Sequence, residues 1–229
     1  MRPIFGFFTA LVTMGMFAAA HALSLDDLTK KDATGGLKEA LTQGATKAVA
    51  NLGSDGGFLN NPKVKIPLPP GVQKIEGTLR KFGMGKYADQ LDETMNHAAE
   101  AAVPEAKALL VNSVKTMSVD DAKGILQGGD DAATQYFRRT TAEPLAQKFK
   151  PIVQKAMAKV KLTEKYDQLA GKASKFGLID QKDAHLDDYV TQKTLDGLYL
   201  MIADEEKSIR KDPVSAATSL ARKVFGALK

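Results

Sequence analysis

The segment LDGLYLMIA, residues 195–203, lies within a helical pattern that extends from about Asp187 to Arg210. Its apolar residues fall on nearly every side of a helix, whereas a surface helix carries them on one stripe. A helix that is apolar all round has to be covered by neighbouring elements. We therefore expect this segment to lie at the centre of the fold, and the rest of the chain to supply the covering helices.

The covering elements are predicted as amphipathic helices. Apolar residues recur at spacings of three and four along most of the chain, and glycine or proline separates the stripes. One such helix starts at Asp130 or Asp131 as its cap and contains Pro144 and Pro151, which either divide it or start new helices. Other stripes are Leu37–Leu52, Val72–Phe82, Lys86–Ala102, Ala106–Met117, a capping-box helix from Ser118, Leu162–Gly177 and a last helix from Asp212. The sequence predicts an all-α, single-domain multi-helix bundle of roughly eight to ten helices.

One segment departs from the helical pattern. Residues 54–70 contain two glycines and four prolines, and Val64, Ile66 and Leu68 alternate with other residues at a period of two. No convincing partner strand is present elsewhere. We expect an extended, proline-rich segment that lies on the helical body, with a short edge strand as the alternative.

The N-terminus has the pattern of a secretory signal peptide. Arg2 precedes a short apolar run, and Ala20-His21-Ala22 places small residues at the positions that a signal peptidase reads. We expect cleavage after Ala22, so that residues 1–22 are the signal and 23–229 the helical domain. The predicted location is the periplasm.

The composition excludes several classes of function. The chain has no cysteine, which excludes thiol catalysis, cysteine-ligated zinc and iron–sulfur clusters. The charge after removal of the signal is about +4, too small to indicate nucleic-acid binding. No motif of a known catalytic centre is present, and neither histidine after residue 22 follows a glutamate at the spacing of a di-metal bundle. We predict no catalytic residue, no metal site and no cofactor.

Charge is unevenly distributed in the second half of the chain. Residues 147–175 carry an excess of six positive charges, and residues 180–206 an excess of six negative charges. One interpretation is that neighbouring helices attract each other weakly through these blocks. The alternative is that Lys148, Lys155 and Lys159 share a face and contact an anionic membrane surface.

A first group of candidate ligand-binding residues lies on the helix before Pro104. Asn96 and Glu100 are four residues apart and share a helix face that is rich in alanine, where small side chains leave room for a ligand or another helix. His97 is expected to be exposed. The alternative for Glu100 is a buried hydrogen bond or an ion pair with an arginine.

A second group follows Gly128-Gly129. Tyr136 and its neighbour Phe137 point to different faces, so we expect one in the core and one in a pocket wall. Arg138 or Arg139 could clamp a carboxylate or phosphate, or pair with Glu100 or Glu205. We expect Asp196 to form a buried network with these arginines. If Arg138 closes such a buried pair, its loss would cost roughly 3–5 kcal/mol.

Several stretches together resemble a known family. They are residues 95–104, 128–141 and 195–203, with the segment from Asn61-Pro62 to Pro67 and the closing residues 222–226. These stretches resemble the DUF4197 family, a domain-of-unknown-function family of exported proteins from Gram-negative bacteria. The resemblance implies an all-helical envelope or periplasmic protein. It implies no activity, cofactor or catalytic residue.

Three hypotheses about function follow from the sequence. The first is non-enzymatic binding of a lipid or other small amphiphile in an apolar groove beside Asn96 and Glu100, with the arginine pair near its polar head. The second is a protein-interaction or scaffold module of the cell envelope. The third is a hydrolase that activates water with Glu100 or Asp196.

Overall fold

The computed structural model describes residues 30–83, 85–159, 166, 185–216 and 218–227. These residues form eight α-helices and no strand, so the all-α prediction is confirmed. The predicted signal peptide lies outside the described residues, as does the predicted helix Leu162–Gly177 except for Tyr166. The helices are α1 (Lys30–Leu52), α2 (Pro70–Lys81), α3 (Gly85–Ala102), α4 (Ala106–Thr116), α5 (Val119–Gln127), α6 (Ala132–Met157), α7 (Leu186–Lys211) and α8 (Ser219–Gly226). Short 3₁₀ turns occupy Val103–Glu105 and Pro213–Ser215.

Helix α7 lies at the centre, as its apolar segment predicts. It packs most extensively against α6 and also contacts α1, α3 and α8. Leu198 and Tyr199 are completely or almost completely buried, whereas Leu200 is 43% exposed. One narrow side of the central helix therefore reaches solvent, although its sequence is apolar nearly all round.

Helix α6 is continuous across both of its prolines, so the expectation that Pro144 and Pro151 divide it or start new helices is wrong. A proline inside a helix loses one backbone hydrogen bond and crowds the preceding turn. A buried stripe at spacings of four, Leu145, Phe149, Val153 and Met157, packs this half of α6 into the core. Burial of this stripe offsets the local cost of the prolines.

Helix ends follow the sequence in some places and not in others. Ser118 and Asp121 form the predicted capping box at the start of α5. Asp131 occupies the cap position of α6, but its side chain makes no capping hydrogen bond there. The capping acid is Glu206 of α7, whose carboxylate accepts from the amides of Ala133 and Thr134 at 2.9 Å each.

The segment between α1 and α2 begins as a series of turns and becomes extended at residues 65–69. Phe58 is fully buried and points at Gly197 of α7, where a Cβ atom would lie 2.7 Å from the phenyl ring. Glycine at this position lets the segment approach the central helix closely. Residues 65–69 form neither helix nor turn, and Ile66 and Leu68 are buried, which agrees with the prediction that this segment lies on the helical body.

Among the described residues, none of the helices combines the length and the hydropathy that crossing a bilayer requires.

Candidate functional site

Asn96 on α3 is completely buried and is occupied by backbone partners. Its side-chain oxygen accepts from the Ile66 amide at 2.8 Å, and its side-chain nitrogen donates to the Ile66 carbonyl at 3.1 Å. The same nitrogen donates to the Asp92 carbonyl at 2.8 Å. The side-chain amide of Asn96 thus makes the hydrogen bonds that a neighbouring strand would make to Ile66. Neither of its polar atoms is left free for a ligand.

Glu100, one helical turn later, is also occupied by the segment between α1 and α2. Its Oε1 accepts from the amides of Phe58 at 2.9 Å and Leu59 at 3.0 Å. Its Oε2 lies 2.7 Å from Nδ1 of His97, whose side chain is half exposed as expected. Among the described residues, no arginine pairs with Glu100. Two backbone amides and His97 are its partners instead.

The alanine-rich face beside these residues is filled. Ala98, Ala99 and Ala102 are at most 1% exposed and belong to the continuous hydrophobic core. Small side chains on this face allow neighbouring helices to pack closely rather than leaving a groove. A ligand site has to be sought elsewhere in the described residues.

Tyr136 and Arg139 connect α6 to the two helices before it. The Tyr136 hydroxyl donates to the Ser113 carbonyl at 2.7 Å, and the ring is 4% exposed, so neither Tyr136 nor Phe137 forms a pocket wall. Arg139 pairs with Asp121 at 3.0 Å and lies over the Tyr136 ring. Arg139 therefore closes a surface contact to α5 instead of reaching Glu100 or Glu205.

Arg138 and Asp196 do form a pair, but it is not the buried network that we expected. The nearest nitrogen and oxygen atoms are 3.7 Å apart, and both side chains are 45% exposed. The Arg138 guanidinium stacks 4.7 Å above the Tyr199 ring. Burial raises the pKa of Tyr199, partly offset by its hydrogen bond to Thr141 and by the Arg138 charge. The six candidate residues thus occupy three separate places.

A cleft lies between α6 and α7 on the side that carries Asp196. Its volume is about 610 Å³, within the range typical of small-molecule sites. Asp196 is the one member of the six candidates that lines it. The lining residues are Ala146, Gln147, Lys150, Asp188, Tyr189, Thr191, Gln192, Lys193, Leu195 and Asp196.

The polar groups at the rim of this cleft are largely paired. Lys150 bonds Asp188 at 2.6 Å, which raises the pKa of the lysine despite partial desolvation. Gln192 donates to Asp196 at 3.0 Å, and Lys193 lies over the Tyr189 ring. The Lys150–Asp188 pair joins the positive and negative blocks of the sequence, so the interpretation that neighbouring helices attract is confirmed at this contact.

Thr191 differs from the other polar lining residues because its polar atom is buried. It is 5% exposed, and its hydroxyl oxygen is buried without a hydrogen-bond partner in the part of the chain that the structure describes. A buried hydroxyl normally has a partner, and the loss of one costs about 1–3 kcal/mol. Its oxygen has almost no exposed surface, so the side chain would have to rotate about the Cα–Cβ bond to present the hydroxyl to a ligand in the cleft.

Sequence reasoning missed two features. The first is the buried ion pair of Glu206 and Arg210, whose atoms are 2.9 Å apart. Their spacing of four residues indicates a pair on one helix face, but Glu206 follows two other acids, and the sequence does not show which of the three is buried. Thr191 carried no signal, because an unpartnered hydroxyl is recognised only from its neighbours in space.

Comparison with known proteins gives a family but no described relative. The family model DUF4197, whose description is a protein of unknown function, matches residues 27–226 and so includes all eight described helices. Neither the curated proteins nor the solved structures give a significant match. Since the model spans most of the sequence and agrees with the resemblance of its motifs, the chain belongs to the DUF4197 family.

Proposed function

We propose that this protein is a non-enzymatic binding protein that holds a small amphiphile in the cleft between α6 and α7. The observation that carries the proposal is the cleft itself, whose mainly apolar lining includes Thr191, a residue with a buried hydroxyl that has no partner among the described residues. This place differs from the groove beside Asn96 and Glu100, whose polar groups are already used.

The lining of the cleft supports an amphiphilic ligand. Ala146, Tyr189 and Leu195 provide apolar surface, and the polar lining residues stand around it. Apolar contacts supply most of the binding free energy in such sites, and a few polar groups orient the ligand. Two lysines and two aspartates balance in charge, so we expect a neutral or zwitterionic polar head rather than a strongly charged one.

Other observations favour binding over the alternatives. Among the described residues, the large exposed apolar side chains are Phe82 and Tyr87, which flank the turn between α2 and α3, and the single residues Val119, Leu200 and Val214 on three other elements. A scaffold surface would be expected to group such residues in one patch. A hydrolase is less well supported, because Glu100 is occupied by two backbone amides and Asp196 is 45% exposed and accepts from Gln192.

Native mass spectrometry of protein purified from exporting cells tests the proposal, followed by organic extraction of the bound material. We expect a stoichiometric extra mass that extracts as an amphiphile. Ala146→Phe fills the cleft and should abolish the extra mass. Ala156→Phe is the matched control, because Ala156 is a partly buried alanine of the same helix outside the cleft. A ligand-free wild-type protein, or equal occupancy in both variants, would rule the cleft out.

A membrane contact is the second part of the proposal. Lys148, Lys155 and Lys159 are exposed at spacings of seven and four, and none forms an ion pair with another described residue. Such a row attracts anionic headgroups with about 1 kcal/mol for each lysine. Reversal of all three to glutamate should remove binding to vesicles of anionic phospholipid. Unchanged sedimentation with these vesicles would exclude the contact.

The proposed site of action is the periplasm, on the basis of the N-terminal pattern alone. N-terminal sequencing of the protein from a periplasmic extract should begin at Leu23. A chain that remains in the cytoplasm with Met1 intact would reject export.

A further inference from the structure

We propose that Asp55, His97 and Glu100 form a binding site for a divalent transition-metal ion of the Zn²⁺ class. Each residue offers one ligand atom, and the three atoms lie within 4.8 Å of one another. The donors are one imidazole nitrogen and two carboxylate oxygens. The sequence did not predict this site, because Asp55 belongs to the turn after α1 and lies far from α3 along the chain.

His97 and Glu100 are joined by a hydrogen bond that metal binding would replace. They are three residues apart on α3, and the distance between Nδ1 and Oε2 is 2.7 Å. Ligand atoms of a tetrahedral zinc ion stand roughly 3.4 Å apart. Binding would release to solvent the proton that Nδ1 and Oε2 share, separate these two atoms by about 0.7 Å, and bring the Asp55 carboxylate closer by up to about 1.4 Å. Asp55 is exposed on a turn and has room for this movement.

The orientation of Glu100 is fixed by groups behind it. Its Oε1 is held by the Phe58 and Leu59 amides, which leaves Oε2 directed at His97. Proteins usually orient a metal-binding side chain by hydrogen bonds to the polar atom that does not contact the metal. Glu100 therefore presents one carboxylate oxygen, Oε2, in a fixed position beside His97.

The donor set indicates which ions fit. Imidazole nitrogen suits zinc and neighbouring transition metals, whereas magnesium and calcium prefer sites made of oxygen alone. Three protein ligands leave a fourth position for water. Because Asp55 and His97 are exposed, this position faces solvent.

Bound metal would tie the turn that contains Asp55 to α3. The same turn region already contacts α3 through Phe58, Leu59 and Glu100. An ion that binds only the folded chain raises the stability of that chain. We therefore expect thermal stabilisation in addition to binding.

Isothermal titration of chelator-treated, untagged protein with Zn²⁺ or Mg²⁺ tests the inference. We expect one Zn²⁺ ion per chain, little binding of Mg²⁺, a higher melting temperature with Zn²⁺, and shifted NMR signals for the Phe58 and Leu59 amides. His97→Ala and Asp55→Asn should each weaken Zn²⁺ binding by at least about tenfold. Both residues are exposed, so these variants should fold, and circular dichroism checks this.

His185→Ala and Asp130→Asn are the matched controls, since both residues are exposed and stand outside the cluster. They should bind Zn²⁺ like the wild type. The inference is overturned if the wild type binds no Zn²⁺, if Mg²⁺ binds equally well, if His97→Ala keeps full affinity, or if His185→Ala loses it. None of these outcomes depends on the cleft between α6 and α7.

Discussion

Asn96 pairs with Ile66 as one β-strand pairs with another, accepting from its amide at 2.8 Å and donating to its carbonyl at 3.1 Å. This side chain therefore completes the backbone hydrogen bonding of a buried, extended residue. An all-helical core has no strand to do so, and an unpartnered backbone group would be costly there. The proline-rich segment remains on α3 because of this pair and the contacts of Glu100.

Asn96→Ala should reduce the free energy of unfolding by about 3 kcal/mol, since both polar groups of Ile66 lose their partner in a buried place. Urea denaturation followed by circular dichroism measures this loss. Gln90→Ala on the exposed side of α3 is the control and should change stability by less than about 0.5 kcal/mol. Equal effects of the two substitutions would contradict the role of Asn96.

Glu206→Ala should cost roughly 3–5 kcal/mol, because it leaves Arg210 buried without its charge partner and two amides of α6 without an acceptor. The side chains of Glu206 and Arg210 are 2% and 11% exposed. Glu205→Ala removes only a pair with the exposed Lys47 and should cost less than about 1 kcal/mol. Chemical denaturation of the two variants compares them directly, and similar losses would reject the capping role.

Arg138→Ala should cost no more than about 1.5 kcal/mol, the sum of a weak surface pair and a cation–π contact. This value is below the loss expected for a buried pair, because both partners are 45% exposed. The change in urea midpoint measures it. A loss above about 3 kcal/mol would restore the buried network that the sequence indicated.

Gly35→Ala and Gly36→Ala should have opposite effects, although both glycines are interior to α1. Alanine favours a helix over glycine by about 1 kcal/mol. A Cβ on Gly35 would meet the Leu220 side chain at 3.4 Å, so that this variant should be stabilised. A Cβ on Gly36 would lie 2.6 Å from Val224 and 2.8 Å from the Leu220 carbonyl oxygen, which forces α8 away and should lower the melting temperature. Melting temperatures that change in the same direction would show that α8 does not pack there.

Asp121 should make stability depend on pH at the acid end. Its hydrogen bond to Ser118 lowers the pKa of the folded state below the usual 3.8, against a smaller opposing effect of burial and with help from Arg139. The ionised Asp121 therefore stabilises the folded state fully above its ordinary pKa of 3.8. This stabilisation is lost as the pH falls from that value through the lower pKa of the folded state. Asp121→Asn should lose less stability than wild type between neutral pH and about pH 3. Asp120→Asn, which changes the adjacent exposed acid, should keep the wild-type slope.

Local features of the fold were predictable where the interacting residues are close in sequence. The capping box of Ser118 and Asp121 joins residues three apart, and the spacing alone indicates it. The cap of α6 was assigned to an adjacent aspartate, but Glu206 reaches it from α7. A local rule cannot identify a partner that arrives from another helix.

Gly53 illustrates the same distinction at a helix end. It directly follows Leu52, the last residue of α1, and is one of the glycines that separate the apolar stripes. However, its φ angle is not positive, and a Cβ there would lie 2.9 Å from Pro104. The glycine is needed for close packing against Pro104 in the 3₁₀ turn before α4, rather than for a left-handed cap.

The sequence by itself determined the all-helical class, the central position of residues 195–203 and the interruption at residues 54–70, because apolar spacing and glycine or proline act over one or two helical turns. Only the tertiary structure decided that Asn96 and Glu100 serve backbone amides, that Arg138 and Asp196 remain half exposed, and that a cleft opens between α6 and α7. Hydrogen bonds and cavities depend on distances between atoms that are remote in the chain, and the packing of whole helices sets those distances.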